Sequence, residues 1–167
     1  MSFLVTYKLS GVSTNVRTDA SMSVEGLYYP LKLTMTVNSA ELSLGEHLNI
    51  GLLLENIGNE TLTLYMFDGN DRFDFIIYDE SGAGVYDYGK DTVYLQMHWS
   101  EQMKPSEIHS LTLEWGQVTN GIYDPNHDPH AYSIPVPAGT YKIMGAFDSN
   151  TLGFTVDTPV ISFEISG

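Results

Sequence analysis

The segment Tyr123-Asp124-Pro125-Asn126-His127-Asp128-Pro129-His130 carries the sharpest chemical signal in the chain. Asp124, Asn126 and Asp128 reproduce the Asp-x-Asn-x-Asp opening of a calcium loop, which offers oxygen ligands at alternate positions. The pattern then breaks, with Pro129 where such a loop needs glycine and Pro135 where it needs a bidentate glutamate. His127 and His130 could instead hold zinc together with a carboxylate. The prolines also stiffen the segment, as a loop presented to a partner requires. Three readings therefore stand side by side: a plain surface loop, a partner-binding loop and a metal loop. Tyr123, Asp124, His127, His130 and Tyr132 are the expected partner-binding residues, joined by Tyr88 from the shorter Tyr88–Asp91 loop, and no metal or cofactor is assigned.

The rest of the chain offers little reactive chemistry. Asp68-Gly69-Asn70-Asp71 with Asp74 could present carboxylates to calcium. The same residues make a tight turn, because Asp and Asn bond their own backbone and Gly accepts positive φ. No Gly-x-Ser-x-Gly elbow and no glycine-rich phosphate loop occur. The absence of cysteine removes thiol catalysis, disulfides and thiolate metal sites. His47, His98 and His109 lie in or beside expected strands with no legible partner. No catalytic residue is assigned, and the chain is expected not to be an enzyme.

The elements that must position these residues read as strands. Apolar residues alternate at Leu31, Leu33, Met35 and Val37, and again at Leu48, Ile50, Leu52 and Leu54. The pattern continues at Leu62, Leu64 and Met66 and at Phe73, Phe75 and Ile77. A period of two puts each set on one face of a strand, so Leu48–Asp79 is expected to form a meander with one buried face. Further strands are expected at Val85-Tyr86, Thr92–Trp99, Ile108–Trp115, Gly139–Phe147, Leu152–Val156 and Val160–Ile165. Gln117–Ala138 contains Pro125, Pro129, Pro135 and Pro137 and cannot be a central strand. No window carries a sustained helical period. About nine or ten short strands at this spacing predict an all-β sandwich. Residues 1–30 are the least legible and are expected to be an extension, with Phe3–Tyr7 as an added edge strand. Residues 31–167 are expected to form the single sandwich domain.

Phe73, Phe75, Trp115 and Phe147 fit inward positions. Tyr65, Tyr78, Tyr86, Tyr88 and Tyr94 fall on the opposite face or in turns. There a tyrosine serves recognition well, although β-propensity alone also places it in strands.

Charge narrows the range of partners. Seven Lys and Arg against 21 Asp and Glu give a formal charge of −14. That excess opposes nucleic acid, whose affinity comes from neutralised phosphates, and opposes anionic membrane surfaces. It favours solubility and steering toward a basic partner. No apolar run approaches the roughly 18 residues of a membrane span, and the N-terminus lacks the charged and apolar regions of a secretory signal. The sequence as written is expected to be cytoplasmic; a trimmed form of an exported protein would read the same way.

Several segments in order resemble the BsuPI-type intracellular proteinase inhibitors, a family of small immunoglobulin-like sandwiches. Leu54-Glu55-Asn56-Ile57-Gly58-Asn59-Glu60 resembles their strand followed by an Asn-x-Gly turn. Phe67 through Phe75 resembles their most distinctive segment, a Phe, a polar turn and an aromatic-Asp-Phe strand. Tyr78-Asp79-Glu80-Ser81-Gly82 with Val85-Tyr86 resembles their Asp-x-x-Gly-x-x-Val-Trp hairpin, with Tyr for Trp. Met103-Lys104-Pro105-Ser106-Glu107 resembles a Leu-x-Pro-Gly-Glu turn with Ser in place of Gly. Trp115 and Pro137-Ala138-Gly139-Thr140-Tyr141 fit later positions. The likeness covers roughly Leu48 to Phe147. It implies an immunoglobulin-like antiparallel β-sandwich and a non-catalytic module that inhibits a serine proteinase through a loop on a rigid scaffold. Gln117–Ala138 is the expected loop and Tyr88–Asp91 the second choice; the alternative is a structural or adhesive module without a proteinase target.

Overall fold

The computed structural model describes residues 21–67, 73–91, 98–120, 122–124, 128–149 and 154–167. The expected Phe3–Tyr7 strand, the Asp68–Asp71 turn, Tyr94 and His127 lie outside the described residues.

Apolar alternation produced most of the core strands. In β1 (Met22–Tyr28), β2 (Leu31–Val37), β4 (Leu48–Asn56) and β9 (Ile108–Trp115) the inward side chains of one sheet point the same way. The strands lie in the order β1-β2-β4-β9 and pair antiparallel throughout. The facing sheet runs β3 (Glu41–Ser43), β14 (Ile161–Ser166), β12 (Gly139–Ser149), β6 (Phe73–Asp79) and β7 (Gly84–Asp87). β13 (Phe154–Asp157) also pairs with β12. Leu33, Met35, Ile50 and Leu52 from the first sheet meet Phe75, Ile77, Ile143 and Phe163 from the second in one buried cluster. Each such side chain contributes about 1.5–3 kcal/mol by leaving water. Phe73, Phe75, Trp115 and Phe147 all lie in this core, as their strand positions predicted.

The chain leaves β2 in the first sheet and joins the second as β3, parallel to β14. At the β12 corner, the Tyr141 hydroxyl donates to the Pro137 carbonyl at 2.8 Å, the tyrosine corner of immunoglobulin-like domains. The protein is an immunoglobulin-like β-sandwich. Its described residues contain more strands than the nine or ten expected, because several are only three or four residues long.

The meander does not form. β4 pairs with β2 and β9, while β5 (Leu62–Phe67) pairs with β8 (His98–Met103), and β6 pairs with β7 and β12. The three strands of Leu48–Asp79 therefore belong to three different pairings, since the path turns a corner after β4, enters the separate β5–β8 pair and only then joins the second sheet as β6. Alternation reports which face is buried but not which strand lies alongside.

Asn56 makes that corner. It is fully buried, and its amide Nδ2 donates to Glu60 O at 2.9 Å and Met103 O at 3.0 Å. Its Oδ1 accepts from Gly58 N at 3.0 Å. Across from it, Lys104-Pro105-Ser106-Glu107 closes with Glu107 N donating to Lys104 O at 3.0 Å. Ser106 has φ of 64°. Proline at the second position and positive φ at the third define a type II turn, whose third position favours glycine. Ser106→Gly is therefore expected to stabilise the protein by about 0.5–1 kcal/mol, the relief of the left-handed strain less the added freedom of the unfolded chain. Urea denaturation checks this, and an unchanged or lowered midpoint contradicts it.

Candidate partner-binding edge

The long Gln117–Ala138 connection is a two-stranded ribbon. β10 (Ile122–Asp124) pairs antiparallel with β11 (Asp128–Tyr132), with Ile122 opposite Tyr132 and Asp124 opposite Asp128. Below them Val118 bridges Pro135. Pro129 is accommodated in β11 because the ribbon has only two strands, so each strand has one edge that needs no partner. Tyr123 and Asp124 thus stand on one strand, and His130 and Tyr132 on the other.

Both legs of the ribbon are tied to the sandwich. On the outgoing leg, the Trp115 indole Nε1 donates to Val118 O at 2.8 Å. Gln117, 3% exposed, accepts from Gly45 N at 2.9 Å and donates to Ser43 O at 2.8 Å through its side-chain amide. On the returning leg, Val136 N donates to Gln117 O and Thr119 N donates to Ile134 O, each at 2.8 Å. Next to Val136 lies the Pro137 carbonyl that receives the Tyr141 hydroxyl.

The second expected loop is a four-residue helical turn, α1 (Tyr88–Asp91). The Asp74 carboxylate fastens it: Oδ1 accepts from Gly89 N at 2.8 Å and from Phe75 N at 2.7 Å. Asp74, weighed from sequence as a cation ligand, anchors backbone instead. Tyr88 is half-buried and stacks on Phe75 with ring centroids 5.5 Å apart. Tyr86 stacks on the same Phe75 at 5.5 Å and lies 6.4 Å from Trp115. Tyr86 and Tyr88 therefore extend the aromatic core outward along β7, in place of the opposite-face position expected for them.

The two loops meet at the β7 edge. Asn120 N donates to Val85 O at 3.2 Å. The Asn120 side chain accepts from Asp87 N at 2.6 Å and donates to Asp87 O at 2.8 Å. Asp87 directly precedes Tyr88. Sequence reasoning missed Asn120, Asp87 and the anchoring role of Asp74. The Asp74 position had a signal in the aromatic-Asp-Phe strand; the contact between Asn120 and Asp87 had none, since it spans 33 residues.

An open groove of about 460 Å³ flanks the ribbon's base between the Asp79–Ser81 turn and Ala138–Tyr141. The Ser81 hydroxyl and then the Ala83 amide hold the Asp79 carboxyl below its usual range. Burial, and after it the Asp79 charge, pushes the Tyr141 phenol above its usual 10.0. A raised folded-state pKa means that the native state holds this proton more tightly than the unfolded chain does. Tyr141's contribution is thus complete below pH 10 and lost as pH rises through the folded value. Tyr141→Phe is expected to cost about 1 kcal/mol at neutral pH through the lost corner bond and to show a shallower loss of stability above pH 10. Denaturation midpoints from pH 7 to 11 test this; identical alkaline slopes for the two proteins contradict it.

Among the described residues no group of three His, Asp or Glu side chains is placed to hold a metal ion. Among them, too, no helix is long and apolar enough to cross a membrane.

A family model described as BsuPI, intracellular proteinase inhibitor, matches residues 35–127, which is more than half of the chain. The match begins within β2 and ends just before β11. No curated protein matches the chain. Among solved structures, a β-glucosidase from Listeria innocua is similar over 82% of this chain and 16% of its own, at 16% identity and a TM-score of 0.47. The chain thus spans about a sixth of that enzyme's length. The CARDB domain of a Pyrococcus furiosus protein is similar over 82% of this chain and 94% of its own, at 11% identity and a TM-score of 0.42. Neither likeness bears on activity.

Proposed function

Because the chain belongs to the BsuPI family of intracellular proteinase inhibitors, we propose that it is a non-catalytic module that binds a serine proteinase in the cytoplasm through the β10–β11 ribbon. The observation that carries this reading is the fastening of both ribbon legs to buried groups, Trp115 and Gln117 on one side and Tyr141 by way of Pro137 on the other. A segment already held in place loses little conformational freedom on binding, so more of its contact energy appears as affinity. The partner-contacting residues are Tyr123, Asp124, His127, His130 and Tyr132, with Tyr88 at the margin. A formal charge of −14 supports a partner whose contact face is basic, with association slowed by added salt.

Titration of the protein into a subtilisin-like serine proteinase tests the reading. Residual activity is expected to fall stoichiometrically, and replacement of Tyr123 and Asp124 by alanine to weaken the effect at least tenfold. Digestion of the protein with no loss of proteinase activity contradicts it and favours a structural or adhesive role for the sandwich.

A further inference from the structure

We infer that Asn120 is the positioning residue that locks the ribbon to the Tyr88–Asp91 turn, so that a partner meets the two segments as one surface. The binding half of this inference rests on the reading above; the lock itself does not.

The geometry is that of a borrowed strand. β7 pairs with β6 along one edge only, through Asp87, Tyr86 and Gly84, which leaves its other edge to be satisfied elsewhere. The Asn120 amide presents one acceptor and one donor to the N–H and C=O of a single residue, Asp87, as a neighbouring strand's peptide would. Its own backbone N–H adds a third bond, to Val85 O. These bonds run the ribbon's base along β7 toward α1. The turn is fixed to the neighbouring strand through Asp74 and Gly89. Ribbon and turn are thus both anchored on the β6–β7 pair, at Asp87 and at Gly89 two residues on. Neither a shorter nor an isosteric side chain reproduces the lock: alanine loses both side-chain bonds, and aspartate keeps the acceptor but sets a carboxylate against the Asp87 carbonyl.

The test uses the full chain with Asn120→Ala and Asn120→Asp. Amide hydrogen exchange reads the lock without any partner, because a protected amide exchanges in proportion to the fraction of time its bond is open. Asn120→Ala is expected to speed exchange at Asp87 at least tenfold while the amides of β4 and β12 stay protected, with a smaller effect for Asn120→Asp. Unchanged exchange at Asp87 overturns the lock. Against the inhibited proteinase, Asn120→Ala is expected to raise the inhibition constant at least tenfold with the thermal midpoint nearly unchanged. The changes from Tyr88→Ala and Asp124→Ala are expected to be non-additive in the parent protein and additive once Asn120 is alanine. Faster exchange with an unchanged inhibition constant overturns the role in binding. Failure of the parent protein to inhibit any proteinase overturns the proposed function, and the exchange data still decide the lock.

Discussion

Replacing Asn56 with alanine is expected to lower the unfolding free energy by about 3–5 kcal/mol, a large share of the ~5–15 kcal/mol that holds a domain of this kind together. The side chain has no exposure to water. Its removal leaves Gly58 N, Glu60 O and Met103 O without the partners they have now. A buried polar group that loses its partner costs about 1–3 kcal/mol. Water can reach Gly58 and Glu60 at the turn but not Met103 at the same cost, so the three losses do not simply add. Asn56→Leu restores volume yet leaves the same three groups unmatched, and should do no better. Asn56→Asp keeps the acceptor for Gly58 while directing negative charge at two carbonyl oxygens, and should do worse than alanine at neutral pH. Urea denaturation of the three variants decides the matter. A loss below 1 kcal/mol in all of them would mean that the corner is held by the Asn56 backbone bonds with Ser106 and Glu107 alone.

Asn56 also marks the boundary of what the sequence discloses. Leu48 to Leu54 alternate so cleanly that the buried face of β4 is readable, and Asn56-Ile57-Gly58-Asn59 reads as a turn. The side chain's burial is not readable, because an Asn in a turn is ordinarily a surface residue. The same divide separates the two halves of the site. The prolines of Gln117–Ala138 declare an irregular connection, but its folding into a ribbon depends on pairings such as Val118 with Pro135 that no local pattern announces. Tyr86 and Tyr88 looked outward because they flank a turn. They face Phe75 because β7 is an edge strand whose inner side would otherwise stand open. Periodicity is a property of one strand; registers and edges are properties of two.

β1 shows the cost of that limit, and Gly26→Ala is expected to destabilise the protein by about 2–4 kcal/mol. The strand escaped detection because its inward positions include Gly26, which interrupts the apolar alternation of Val24 and Tyr28. The glycine is there for contact. A Cβ built at Gly26 would lie 2.6 Å from the Asp157 carbonyl carbon, closer still to its oxygen, and 3.1 Å from Thr158 Cα. Those atoms belong to a bulge. β12 pairs with β13 up to Asp157 and with β14 from Ile161, and Met144 and Gly145 face the three residues between them. Thr158 Oγ1 accepts from Gly145 N at 3.0 Å and Thr158 N donates to Gly145 O at 2.9 Å, which fixes the bulge in place. The added methyl therefore meets backbone that cannot rotate away, and β1 must lift from the second sheet. Gly145→Ala provides the contrast. Its Cβ would meet Leu52 Cδ2 at 2.6 Å and Met35 Sδ at 3.1 Å, the far ends of side chains that can change rotamer, so its cost should stay near the lower end of the ~1–3 kcal/mol typical of overpacking. If β1 detaches in Gly26→Ala, less surface is exposed on unfolding and the denaturant slope m falls together with the midpoint. An alanine variant with the parent's midpoint and slope would mean that β1 does not press on the bulge, and that the first sheet ends, in effect, at β2.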